Sequence, residues 1–384
     1  MADGVTCSEP SLQQIAERFH PAERITGIRA LGTGNVNETF LVSLDGTGDP
    51  EAFVMQRLNT AVFKRPDLVM GNLLALGRHV EGRLASAPPE LQGRRWEVPR
   101  VLSSRPDGGH WVEHEGQFWR SISYIGAATT TDVIRDGAHA REIGYGLGMF
   151  HHLVNDLPSA DLADTLEGFH ITPAYLERFD RVWRQRTPGS RASGETDPLL
   201  QRALDHVERR RHGVDVLEAA CARGELHRRP IHGDPKINNV MIDETSGLAV
   251  GLIDLDTVKP GLIHYDIGDC LRSCCNPAGE ECLDLSTVHF DLELCRSILE
   301  GYLAVGRSFL SEADRHYLPD GIRLIPFELG LRFLTDHLEG DRYFRTERAG
   351  HNLDRALVQF ALTDSIERQW DAIVQVVQDA TNAC

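Results

Sequence analysis

The sequence predicts an α+β chain in two lobes: a small antiparallel β lobe with one helix, then a larger, mainly α-helical lobe. Three observations carry this. At 384 residues the chain exceeds the ~100–200 residues of an average domain. Its first third consists of short β-rich runs separated by Gly, Asp and Pro turns. Beyond residue 125 the apolar residues recur at helical spacing instead. The expected boundary gives a small lobe over 1–125 and a large lobe over 126–384.

Taken in order, Ile25–Gly32, Val36–Leu44 and Ala52–Leu58 read as three antiparallel strands, broken at Gly32-Thr33-Gly34 and again between Asp45 and Pro50. Pro66 opens a helix in which Leu68, Val69, Leu73, Leu76 and Val80 share one face, and Pro88-Pro89 lies beyond its end. Val98–Ser103 and Gln117–Ile125 are two further strand candidates around Pro106–Gly109, with His110–His114 as an extra hairpin arm. Helical periodicity then marks Ala138–Asp156, Pro173–Arg186, Pro198–Arg223, Val288–Val305 and Pro326–His337. The Gly-, Ser- and Arg-rich stretch Thr187–Asp197 reads as an exposed connection between two of these helices.

Composition removes several classes. Hydrophobic residues at 41% and charged residues at 25% are ordinary globular values. With 57 acidic against 40 basic residues the net charge is −17, which repels phosphate backbones and anionic lipid, so neither nucleic acid nor a membrane is an expected partner. No apolar run reaches the ~18 residues of a membrane helix, and Met1–Pro10 lacks a leader pattern, so a cytoplasmic location is expected. The eight cysteines are scattered, and Cys270, Cys274, Cys275 and Cys282 lack the paired spacing of a zinc site, which favours reduced, buried thiols. Arg209-Arg210-Arg211 has no interleaved aromatics and reads as a solvated helix face.

The densest signal is His232-Gly233-Asp234-Pro235-Lys236-Ile237-Asn238-Asn239, followed by an apolar strand, a turn at Asp243–Gly247, a second strand, and Asp254-Leu255-Asp256. A hairpin there gathers Asp234, Asn239 and Asp254. Phosphoryl transfer needs such a set: a carboxylate to take the proton of an attacking hydroxyl, and an amide oxygen and second carboxylate to hold Mg²⁺ on the phosphates. The interval of five from Asp234 to Asn239 is that of the kinase loop H-R-D-x-x-x-x-N, and Asp254 follows a strand pair as the kinase metal-binding Asp does. Upstream, Gly32-Thr33-Gly34-Asn35 lies between two strands, where backbone N–H groups can approach phosphate. Asn37 stands where a kinase has its third glycine.

Through His232-Gly233-Asp234, Asn239 and Ile253-Asp254 the chain resembles the aminoglycoside phosphotransferase and choline kinase superfamily. It is more closely similar to the N-acetylhexosamine 1-kinases, through Gly32 to Phe40, Gln56 to Thr60, Lys236 to Met241, Asp254-Leu255-Asp256-Thr257-Val258 and Arg332-Phe333-Leu334-Thr335-Asp336. The resemblance implies a bilobal protein-kinase-like fold with ATP between a five-stranded lobe and a helical lobe. It implies Asp234 as the catalytic base meeting the acceptor hydroxyl, and Asn239 and Asp254 as Mg²⁺ ligands. Asp256 would hold a second ion or the sugar, and Ser123-Tyr124-Ile125 would be a hinge whose backbone pairs with adenine.

The implied activity is transfer from ATP to the anomeric hydroxyl of an N-acetylhexosamine. A cationic acceptor such as an aminoglycoside or choline, or a nucleotide-binding regulator, are the alternatives. Two departures from the kinase pattern matter: the third strand offers Gln56-Arg57 in place of lysine, and the following helix has Gly71 and Asn72 where a Glu is expected. Arg57, on one strand face with Phe53 and Met55, is the expected phosphate contact. Arg332 and Asp336, four apart on one helix face, are expected to help build the sugar pocket. Asp266 or Asp269 is expected to cap a helix or hold the catalytic loop by hydrogen bonds.

Overall fold

A computed structural model describes residues 9–32, 36–45, 51–105, 107–185 and 197–382. The small lobe is a five-stranded antiparallel sheet in the order β1-β2-β3-β5-β4, built from β1 (Ile25–Ala30), β2 (Glu38–Leu44), β3 (Ala52–Leu58), β4 (Val112–His114) and β5 (Gln117–Ser123). Alternation gives the sheet two apolar faces. Val42, Leu44, Phe53, Met55 and Trp119 pack on one face under a short N-terminal helix α1 (Glu9–Ala16), which the sequence pattern had not announced. Leu58 and Phe118 point the other way, into the main core with α2 (Pro66–Ala85). Val98–Ser103 is not a strand. It makes one bridge, Val101 to Ile122, and runs beside β5 as an irregular segment.

The chain changes sheets after Ser123: β6 (Ala128–Thr129) pairs with β8 (Val240–Asp243), which pairs with β9 (Ala249–Leu252). A two-stranded ribbon joins β7 (Arg229–Ile231) to β10 (Lys259–Gly261), so the two ends of the catalytic segment are tied together. Around these lie α3 (Gly137–Val154), α4 (Thr172–Gln185), α5 (Pro198–Arg210), α6 (Val216–Ala222), α7 (Ile263–Cys274), α8 (Leu292–Gly306), α9 (Glu312–His316), α10 (Leu318–Glu339), α11 (His351–Arg368) and α12 (Trp370–Asn382).

The helix expected over Pro198–Arg223 is two helices, because Gly213 adopts φ +91° and turns the chain between α5 and α6. Helices α3 and α8 cross at backbone contact: a Cβ on Gly144 would lie 1.9 Å from the Ile298 carbonyl oxygen, and one on Gly301 1.9 Å from that of Arg141. No helix among the described residues is long and apolar enough to cross a membrane.

Candidate active site

The β7–β10 ribbon presents His232-Gly233-Asp234 as a turn whose backbone groups are all engaged. The carboxylate of Asp266, on α7, accepts from the amides of His232 (2.6 Å) and Gly233 (2.8 Å). Thr257 donates to the His232 carbonyl at 2.7 Å, His170 to that of Gly233 at 2.7 Å, and Asn239 Nδ2 to that of Asp234 at 2.7 Å. Only glycine fits in the middle. Gly233 has φ +89°, and a Cβ there would sit 2.7 Å from the Thr257 carbonyl oxygen. Asp266 is fully buried; burial opposes its charge, but His151 at 2.9 Å, His232 and the loop amides outweigh it and hold its carboxyl below the usual range. Asp266 therefore holds the loop. Asp269, one turn on, instead pairs with Arg272 at 2.9 Å.

Asp234 faces the cleft with Lys236 Nζ 2.9 Å from its Oδ2. Burial works against the Asp234 charge, but Lys236, His232 and Arg272 prevail and keep it ionised well into the acid range. Asp254 follows β9 at φ +63°, a left-handed conformation that costs a non-glycine residue strain and aims its carboxylate beside the loop. The enclosing protein and then the carboxylates of Asp256 and Asp234 push its pKa up to about 7, against Lys236 and Arg120. Among the described residues neither the Asp254 carboxylate nor the Asn239 amide oxygen has a protein partner. Two free oxygen donors at the two ends of the β8–β9 hairpin suit Mg²⁺, which takes one or two protein ligands and fills its remaining positions with phosphate oxygens and water.

Asp256 does not have that freedom. It is 2% exposed, lies 2.5 Å from Arg120 Nη2, and accepts from Asn37 Nδ2 at 2.7 Å. Both partners belong to the small lobe, so the expected second-ion or sugar ligand is an interlobe anchor instead. Arg120 lies on β5 opposite Gln56 on β3, whose Oε1 accepts from its Nε (2.9 Å) and Nη2 (2.8 Å). This decides which strand face meets the cleft, and corrects the expectation for Arg57. Gln56 and Arg120 face the second lobe, whereas Arg57 shares the α1 face with Phe53 and Met55 and pairs with Glu38 on the neighbouring strand. Asn72, at the place of the missing helical Glu, uses its amide to hold the backbone of Ala163 and Val258.

Gly32 adopts φ +72° and is exposed; Thr33, Gly34 and Asn35 lie outside the described residues. At the hinge, the amide of Ser123 donates to the Arg100 carbonyl at 2.8 Å, so it is not free for a base. Ile125 is buried against Ala128, Met241 and Val250, and its backbone has no partner among the described residues.

A cavity of about 770 Å³ opens beside α4 and α10. Arg332 projects into it with its guanidinium carbon 5.0, 5.2 and 5.5 Å from the ring centres of Phe169, Tyr175 and Phe344. It makes no ion pair among the described residues, and in particular none with Asp336. Burial disfavours its charge, yet the surrounding Tyr175, Tyr343, Glu328 and Asp234 raise its pKa. Asp336, expected to touch sugar, is turned inward. It accepts from the amides of Arg342 (3.0 Å), Tyr343 (2.8 Å) and Phe344 (3.0 Å) and from Asn352 Nδ2 (3.0 Å), pinning the loop that brings Tyr343 and Phe344 to the cavity.

With this geometry in place, the profile of the phosphotransferase enzyme family (APH) matches residues 27–290. The chain belongs to that family. As a small-molecule phosphotransferase it also shares its fold with solved structures of low identity. Choline kinase from Cryptosporidium parvum Iowa II is 13% identical with a TM-score of 0.58, over 96% of this chain and 98% of that one. The microcompartment-associated aminopropanol kinase is 19% identical with a TM-score of 0.56, over 94% and 98%. An aminoglycoside phosphotransferase from Alicyclobacillus acidocaldarius is 16% identical with a TM-score of 0.56, over 95% and 96%.

Sequence reasoning missed the contacts of Lys236, Arg120 and Asn37 in this phosphotransferase. Lys236 had a local signal, a cation two residues after Asp234; Arg120 had a weaker one, a lone charge within the apolar run Phe118-Trp119-Arg120.

Proposed function

We propose that this phosphotransferase moves the terminal phosphoryl group of ATP to the anomeric hydroxyl of an N-acetylhexosamine. Asp234 takes the hydroxyl proton. That proton is more acidic than an ordinary alcohol's because of the ring oxygen, so a base held ionised by Lys236 suffices in a loose transition state. Asn239 and Asp254 would hold Mg²⁺, which supplies charge neutralisation on the phosphates. The ammonium of Lys236, 2.9 Å from the Asp234 carboxylate, would offset charge on a phosphoryl group passing there. The free backbone of Ile125, over Met241 and Val250, suits an adenine edge.

The observation that carries the acceptor assignment is Arg332. A part-buried guanidinium framed by three aromatic rings, with no carboxylate paired to it among the described residues, disfavours a cationic acceptor. It offers donors to the oxygens of a neutral sugar, and the rings offer stacking faces. Choline, ethanolamine and aminopropanol acceptors, named for structures of the same fold, would meet a like charge. The test is ADP release over a panel of N-acetylhexosamines, hexoses, choline, ethanolamine and kanamycin. Turnover is expected with an N-acetylhexosamine, and Arg332→Ala should raise the sugar KM while leaving the ATP KM unchanged. Turnover confined to amines overturns the assignment.

A further inference from the structure

One buried ionisable group beside the loop has no part in this chemistry. His170 is 3% exposed and sits at φ +63°, a strained conformation for a non-glycine residue that its surroundings must hold in place. Its ring is stacked 5.5 Å from Tyr265. Nε2 lies 2.7 Å from the carbonyl oxygen of Gly233, and Nδ1 lies 2.9 Å from Oε1 of Glu328, on α10. The other oxygen of Glu328, which is 1% exposed, accepts from Thr172 at 2.7 Å. A backbone carbonyl and a carboxylate both accept, so both ring nitrogens donate and the ring carries a proton on each.

We propose that His170, braced by Glu328, is the positioning residue that sets the Asp234 base by fixing the Gly233–Asp234 peptide. The Gly233 amide is already held by Asp266. The carbonyl on the far side of the same residue is the one that orients Asp234, and His170 is its donor. Glu328 lies one helical turn before Arg332 on α10, so the brace ties the helix carrying the acceptor-pocket arginine to the loop carrying the base. Acceptor and base are thereby kept in register, as near-attack geometry requires.

The proposal rests on the kinase reading for its catalytic consequence, and the experiment separates the two. Wild type, His170→Phe and His170→Gln are compared by steady-state turnover and by amide hydrogen exchange over 229–242. His170→Phe keeps the ring stacking but gives Gly233 no donor. Exchange in that segment should quicken and kcat fall about 10- to 100-fold, the cost of a buried carbonyl left unpaired. KM for ATP and acceptor should change by less than about twofold. The amide of His170→Gln can donate to the same carbonyl, and should recover most of kcat. Unchanged loop protection, or kcat within about threefold of wild type in His170→Phe, overturns the proposal. Should His170→Phe not fold, the ¹⁵N shifts of His170 in wild type decide: a protonated Nε2 at a pH of about 8 is required, and a bare Nε2 overturns the proposal. If wild type transfers phosphate to no acceptor, the kinase reading falls, while exchange and ring shifts still judge His170.

Discussion

Replacing Arg120 by Met should destabilise the fold far more than an ordinary surface charge deletion. Arg120 and Asp256 are each 2% exposed and lie 2.5 Å apart, one on the small-lobe sheet and one just beyond Asp254. Removing the cation leaves a buried carboxylate with only the amide of Asn37 as partner, and stranding one charge of a buried pair costs ~3–5 kcal/mol. At an unfolding entropy of ~2.1 cal/mol/K per residue, a chain of this length loses ~4–6 °C of Tm for that amount. The double variant Arg120→Met/Asp256→Asn carries no stranded charge and keeps the Asn37 contact, so it should recover more than half of the loss. Urea denaturation of wild type, both singles and the double closes the cycle. A single-variant cost below ~1 kcal/mol, as for an exposed pair, or simple additivity in the double, would refute the anchor.

Two further outcomes follow from the geometry. Asp254→Ala should weaken ATP binding when Mg²⁺ is present and change metal-free binding much less; calorimetry with and without EDTA checks this, and equal losses in both would make Asp254 structural. Burial of His170 opposes its charge, but Glu328, with help from Asp269, raises its pKa above the ordinary value. Tyr265, stacked on the ring, has its own pKa raised by burial and stays neutral. The stability this contributes is complete below the unfolded histidine pKa of ~6.5 and lost as pH climbs through the raised folded value. Tm measured from pH 6 to 10 should therefore fall more steeply for wild type than for Glu328→Gln; parallel curves would contradict it.

The parts of the fold written in local pattern were legible. Strand β3 runs over Ala52–Leu58 as its β-rich run indicated, and α2 starts at Pro66. The neighbourhood of Asp234, Asn239 and Asp254 was legible for the same reason: they flank the β8–β9 hairpin, where spacing along the chain brings its two ends together. What was not legible depended on packing. Helix α11 buries Asn352, Gln359, Thr363 and Ser365 along with its apolar residues, so it shows no amphipathic stripe. The Arg57 expectation failed because alternation separates two faces without saying which one meets the second lobe. That is settled by Arg120 on the neighbouring strand, and by Asp256 more than a hundred residues away. The two short aspartate-containing motifs, at Asp256 and Asp336, were recognised as distinctive, yet both aspartates turn inward to hold structure.

Asp336 divides the cavity beside α4 and α10 into a part that must stay and a part free to vary. Besides Asn352 Nδ2, its carboxylate grips the loop through main-chain amides at Arg342, Tyr343 and Phe344, and every residue type except proline supplies such an amide. The side chains hung on that loop can therefore be exchanged without loosening their attachment. Tyr343, half exposed at the rim, and Phe344, against Arg332, are the natural places for a change in the cavity's lining to begin. The lining of this cavity can thus change at two positions while the aspartate that holds their loop stays the same.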